Sequence, residues 1–206
     1  ILLFLFEENI ITLDEYIINI FERYEYVWRG YKGYFLPEIN SFTKIKDSPE
    51  IPENFEELRK NGVNDNILCK LIRNDSIDDF IIYINKNNID LNSNIIPSPF
   101  ETNSLLNNNH VSLIEYTTFY GAIKILKYLK INNVKLNSDL WLFSIHSRNE
   151  EIIQILEDEN IKPPNDDTEP FDDSIENTEP LEDSFEKCLN EAVKCNHNEI
   201  ADYIQL

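Results

Sequence analysis

The chain has 206 residues, an apolar share of 42% and a formal net charge of -20, which leaves room for one or two ordinary domains or for several units of a repeat array. Such an excess of acid makes the chain self-repelling and opposes binding to nucleic acid or anionic lipid through bulk charge, whereas a basic protein partner fits it. Three cysteines, Cys69, Cys188 and Cys195, contain no CxxC pair, so neither a disulfide framework nor a zinc module is suggested and a reducing, cytoplasmic setting is expected.

Residues 1–6 are apolar but run directly into Glu7 and Glu8 and have no basic flank, which does not fit a secretory signal. No apolar run approaches the roughly 18 residues of a membrane span, so no membrane association is expected. The chain has no methionine, even at position 1, and opens inside a helical pattern, as a piece of a longer protein would. Residues 11–24 predict a helix, with Thr12 and Glu15 at capping-box spacing and Ile17, Ile20, Phe21 and Tyr24 as its stripe. The aromatics that follow, Tyr26, Trp28, Tyr31, Tyr34 and Phe35, are interleaved with Arg29 and Lys32 and could stack nucleic-acid bases. Their acidic surroundings favour packing within an N-terminal helical cap region over 11–64. Pro49 and Pro52 mark a loop before a short helix near 55–60, closed by Gly62.

From residue 65 the chain repeats itself. Placing 67–92, ILCKLIRNDSIDDFIIYINKNNIDLN, over 112–137, SLIEYTTFYGAIKILKYLKINNVKLN, matches Leu68 with Leu113, Tyr83 with Tyr128, Asn88 with Asn133 and Leu91 with Leu136. Residues 139–162 fall on the same frame, with Leu140 under Leu113, Ile152 and Ile153 under Ile125 and Leu126, and Leu156 under Leu129. A fourth copy, 187–206, sets Ala192 under Thr117, Ile200 under Ile125, and Tyr203 and Ile204 under Tyr128 and Leu129. Residues 1–10 match the second half of the frame, as the tail of a preceding repeat would.

Each unit reads as two short helices. Ser76 with Asp79, and Ser112 with Glu115, have the spacing of a capping box, while Asn88, Asn133 and Asn160 stand where a helix stops in a left-handed residue. A single unit of this size buries too little to offset the ordering of its backbone, so neighbours must cover it. Between the first two units, 93–110 carries Pro97, Pro99 and a run of asparagines and reads as a long surface loop. Between the last two, the acidic insert 163–183 repeats Thr168-Glu169-Pro170 at Thr178-Glu179-Pro180. It is predicted to be disordered, with Thr168, Ser174, Thr178 and Ser184 as potential phosphate acceptors.

The second unit resembles the ankyrin repeat, whose consensus opens T-P-L-H-x-A. Ser112, Leu113, Ile114, Glu115 and Thr117 take the opening positions, Gly121 the following Gly, Ile125 and Leu126 the valines, Tyr128 and Leu129 the leucines, and Asn133 the closing Gly. Arg148 and Asn196 replace the first Gly in later units, and counted from Ile67, Ser112, Asp139 and Lys187 the units start 45, 27 and 48 residues apart, against about 33 in ankyrin arrays. The phrases CKLIRNDSIDDFIIYINK, SLIEYTTFYGAIKILKYL and LWLFSIHSRNEEIIQILE within 65–206, with YFLPEI before them, resemble ankyrin-like protist proteins that carry a domain of unknown function. That resemblance implies an all-α, ankyrin-like solenoid of stacked helix-turn-helix repeats, acting as a protein-protein interaction scaffold without catalysis. Ankyrin-like stacks bind through a concave face of turn residues and first helices, which maps partner contacts onto Phe119, Tyr120, His146, Arg148 and Lys194.

Other chemistry is weakly marked. Cys188, Cys195 and His197 lack the close ligand pair of a structural zinc site, and packing of Cys188 in a helix is the simpler reading. A cysteine nucleophile served by His146 has no local signature. Asp78 and Asp79, or Glu150 and Glu151, open helices, where the dipole favours acids. With four glycines no phosphate loop is present. The chain is therefore read as a non-enzyme with no cofactor and no metal. An adaptor or effector whose active domain lies outside the chain, and a metal-dependent hydrolase, are the alternatives.

Overall fold

The computed structural model describes residues 4–5, 8, 10–12, 14–23, 33–43, 51–107, 110–163 and 184–204, and the regular elements among them are helices. They fall into two compact units, one of residues 1–66 with 96–109 and the other of 67–95 with 110–206. The all-α expectation holds for the described residues.

The first unit contains α1 (Glu15–Arg23), α2 (Leu36–Thr43) and α3 (Phe55–Asn61). The start of α1 is held by Asp14, whose Oδ1 accepts the Ile17 N–H at 2.9 Å, and not by Thr12, which lies too early in the chain. Gly62 ends α3 at φ 63, as expected, with its N–H on the Leu58 carbonyl. Of the aromatic run, Phe35 is fully buried and the Tyr34 hydroxyl donates to the Arg59 carbonyl at 3.1 Å, so these two pack. Tyr26, Trp28 and Tyr31 lie outside the described residues, as does most of the proposed repeat tail 1–10.

Arg59 is the buried cation of this unit. It bonds Glu38 at 2.5 Å and Glu56 at 2.9 Å and lies over the Phe55 ring. Burial works against its charge, but the bonds and charges of the two glutamates outweigh that and hold its pKa above the usual guanidinium value.

Residues 96–109 differ from the surface loop expected of them. The described residues 96–107 form no helix, yet Phe100, Glu101 and Leu106 are buried, with Phe100 set edge-on against Phe55 at 5.3 Å. Glu101 tolerates burial because it accepts the N–H groups of Asn64 and Asn103, both at 3.1 Å. The prolines and asparagines that make the segment look solvated conceal two apolar anchors and a satisfied carboxylate.

The described residues of the second unit form four helix pairs. They are α4 (Ile67–Arg73) with α5 (Ile77–Asn87), α6 (Leu113–Phe119) with α7 (Ile123–Ile131), α8 (Leu140–Ser147) with α9 (Glu150–Asp158), and α10 (Ser184–Lys194) with α11 (Asn198–Ile204). The first helices pack in succession, α4 on α6, α6 on α8 and α8 on α10, and α5 packs on α7. At one frame position the residues are Ile72, Thr117, Ser144 and Ala192, all essentially inaccessible. Small side chains in three of the four let the first helices approach. The hydroxyls cost little there, since Thr117 donates to the Leu113 carbonyl at 2.7 Å and Ser144 to the Trp141 carbonyl at 2.8 Å. Trp141, the largest fully buried side chain, donates its indole N–H to the Ile161 carbonyl at 2.9 Å. The last pair begins at Ser184, before the expected 187, and the insert 164–183 lies outside the described residues.

Helix stops recur with one hydrogen-bond pattern. After the second helices, Asn88, Asn133 and Asn160 have positive φ, as their type and place predict. Their N–H groups bond Asn85, Lys130 and Glu157 carbonyls, and the next residues, Ile89, Val134 and Ile161, reach back to Ile84, Leu129 and Leu156. The same pair of bonds closes three of the first helices, at Asp75-Ser76, Gly121-Ala122 and Asn196-His197. Arg148 takes the equivalent left-handed place at φ 51.

Helix starts are less uniform. Ser112 and Glu115 form the full capping box, but Ser76 makes no side-chain cap bond. Ser76 stands at ψ 74 and lacks the extended backbone that Ser112 has at ψ 163; the preceding Asp75 takes the left-handed turn, and its carboxylate crosses to the next pair. There it accepts the Lys124 and Ile125 N–H groups, both at 3.1 Å, and so caps α7, whose own N-cap residue is Ala122. Replacing Asp75 with alanine is expected to cost about 1 to 2 kcal/mol and Ser112→Ala about 1 kcal/mol in urea unfolding. Ser76→Ala should cost less than about 0.5 kcal/mol; equal losses for all three would refute this assignment of caps.

Candidate functional site

The first helices α6, α8 and α10 end at equivalent frame positions, which brings Phe119, His146 and Lys194 to one edge of the second unit. Phe119 stacks on His146 with ring centroids 4.5 Å apart and an interplanar angle of 21°. On its other side Phe119 meets Tyr120 at 5.0 Å, and Tyr120 meets Tyr116 at 4.8 Å. Arg73, from the end of α4, reaches both tyrosines: its guanidinium lies over the Tyr120 ring at 5.8 Å and donates to the Tyr116 hydroxyl at 2.7 Å. In the other direction His146 Nε2 contacts Glu191 Oε1 at 2.7 Å, and Lys194 bonds the second oxygen of Glu191 at 3.2 Å. The result is a ladder from Arg73 through Tyr120, Phe119 and His146 to Glu191 and Lys194, touching all four helix pairs.

Of the residues expected to meet a partner, Phe119, Tyr120, His146 and Lys194 are thus brought together. The two aromatics and His146 are half-buried against one another, while Lys194 is exposed. Arg148 is also exposed, and turns toward a groove of about 530 Å³ between the third and fourth pairs, lined by Ile153, Glu157, Asn196, His197 and Ile200 among others. The residues that sequence reasoning missed are Arg73, Tyr116 and Glu191. For Tyr116 and Glu191 a signal was available in the frame, since they occupy the same position of different units; Arg73 shares no such position with them.

Burial keeps the Tyr116 hydroxyl neutral. Burial pushes the Tyr116 hydroxyl far above the usual phenol range, with Cys69 and Tyr120 adding to the effect and Arg73 opposing it. It serves Arg73 as a fixed acceptor.

Cys195 completes the other end, one helical turn from Glu191. Its sulfur lies 3.8 Å from His146 Nδ1 and 4.0 Å from Nε2. Near-equal distances to the two ring nitrogens place it off the lone-pair line of either, so the pair lacks the alignment of a thiol and its general base. Burial first, and the Glu191 charge second, raise the thiol pKa, against the lowering influence of Arg148 and Lys194. A nucleophilic cysteine needs the opposite shift. The trio considered for metal binding, Cys188, Cys195 and His197, is not assembled: Cys188 is buried in the core, and the close grouping of ligand atoms is His146, Glu191 and Cys195.

No family model matches the chain, and no curated protein or solved structure matches it significantly.

At neutral pH, alkylation of Cys195 by iodoacetamide should run slower than that of free cysteine. Glu191→Gln should speed it without restoring the free rate, because burial is the larger cause, and Arg148→Ala should slow it further. Peptide mapping by mass spectrometry reads all three, and indifference to Glu191 would contradict the electrostatic account.

Proposed function

We propose that residues 67–204 form an ankyrin-like solenoid serving as a non-catalytic, cytoplasmic scaffold that binds another protein along the Arg73 to Lys194 ladder. The observation carrying this reading is the ladder itself: aromatic and charged side chains from four consecutive helix pairs meet on one edge, as a stacked array would present them to a partner. Tyrosine, phenylalanine and arginine are the side chains that interface centres favour. The short pairing of Asn94 with Ser112, between the first two units, lies where an ankyrin finger would begin. Among the described residues no helix is long and apolar enough to cross a membrane. A net charge of -20 selects for a basic partner surface and against nucleic acid.

Binding should then depend on side chains that can be truncated without collapse of the stack. Tyr120→Ala is expected to weaken a captured partner by roughly 2 kcal/mol, about thirtyfold, as loss of a central aromatic anchor does. Lys194→Ala and Arg148→Ala, both at exposed positions, should have smaller effects that diminish as salt is raised. Affinity capture followed by titration of the recovered protein measures these changes, with circular dichroism as the check on folding. Unchanged binding by the Tyr120→Ala and Lys194→Ala double variant would remove the ladder as the contact surface.

A further inference from the structure

We propose that His146, Glu191 and Cys195 form a binding site for one zinc-class divalent metal ion that joins the third helix pair to the fourth. The proposal is independent of the scaffold reading, since a metal clip could serve a stack of any function. It rests first on geometry. The candidate ligand atoms, one from each residue, all lie within 4.8 Å of one another. Bond lengths of tetrahedral zinc imply ligand-to-ligand edges of about 3.3 to 3.6 Å. The imidazole-to-sulfur distances of 3.8 and 4.0 Å lie just above that range and the imidazole-to-carboxylate distance of 2.7 Å just below it. Opening the His146 and Glu191 contact by about half an ångström while drawing the sulfur in by a similar amount brings two edges of the tetrahedron to length, and the third, from the sulfur to the carboxylate, starts within 4.8 Å.

The placement of the donors supports that movement. Glu191 and Cys195 are four residues apart and share a helical face, while His146 comes from the neighbouring first helix α8. Phe119 holds the imidazole plane by stacking at 4.5 Å, and Lys194 holds the carboxylate by its second oxygen at 3.2 Å. Such outer contacts orient the ligands of real metal sites. A thiolate, an imidazole and a carboxylate suit zinc or a related transition metal and discriminate against magnesium and calcium, which prefer oxygen. Three protein donors leave a fourth position for water. On binding, the ion gives up hydration waters as it bonds the Cys195 sulfur, one His146 nitrogen and one Glu191 oxygen; the thiol proton passes to solvent and the direct contact of His146 with Glu191 is lost. No electron is transferred.

The test uses the whole chain, purified under reduction, stripped by a chelator and titrated with zinc in excess magnesium to suppress loose binding by the acidic surface. One ion per chain is expected, with a rise in melting temperature. Cobalt should give a sulfur-to-metal charge-transfer band. Cys195→Ser, nearly isosteric, should abolish that band, and Cys188→Ala should keep it. Cys195→Ser and His146→Gln should each weaken zinc by more than about a hundredfold, beyond what loss of an outer contact causes. Circular dichroism confirms that the variants fold, and the conservative serine variant keeps the test valid if the histidine change unfolds the chain. No stoichiometric zinc, or a cobalt band and affinity that survive Cys195→Ser, would overturn the proposal.

Discussion

Every helix of the stacked unit is only seven to eleven residues long, too short to persist in water by itself. What makes such lengths workable is the left-handed residue that ends one helix and aims the next back along it. The recurrent pair of turn bonds satisfies carbonyls that a helix end would otherwise leave open. It also fixes the direction of the following helix, so that each first helix meets the next first helix. The buried small residues Thr117, Ser144 and Ala192 are useful only because the turns bring their helices into register. The ladder on the edge follows from the same register.

That register was legible where a local rule encodes it. Asn88, Asn133 and Asn160 announced their stops by type and by place, and Ser112 with Glu115 announced a start. Ser76 also marked its start correctly, as the N-cap of α5, but without the side-chain bond that its spacing to Asp79 promised; the neighbouring Asp75 takes the special backbone conformation. No pattern within one unit could show that the Asp75 carboxylate caps a helix nearly fifty residues away. The contact of His146 with Glu191 was hidden for the same reason: it joins residues 45 apart in sequence. Frame alignment placed Phe119, His146 and Lys194 in equivalent positions, but could not show that an acid from another row would sit between two of them.

Charge is managed locally in this strongly acidic chain. Lys127 pairs with Glu151 of α9 and Lys130 with Glu159, the residue that follows α9, both at 2.5 Å. These pairs are exposed, so each contributes no more than about 1 kcal/mol, and their further effect is to set lysines of the basic α7 against part of the acid charge carried by α9. Buried charge is treated differently. Arg59 is buried against the half-buried carboxylate of Glu38 and the exposed one of Glu56, and Glu101 is enclosed with two backbone N–H groups, so in each case desolvation is answered by specific partners.

The left-handed turns between the two helices of a pair also reveal where stability was forgone. Only Gly121 adopts that conformation without steric conflict; Asp75, Arg148 and Asn196 each hold a side chain in it, at a cost of roughly 1 kcal/mol or more for residues with a Cβ. Asp75 returns that cost through the helix it caps. Arg148 and Asn196 have no such return in their own turns, and both border the groove between the last two pairs. A chain under pressure for stability alone would have placed glycine there. Arg148 is the one of these three whose type does not favour the left-handed region, which asparagine and aspartate enter more readily, so its turn is where a glycine would return the most backbone stability.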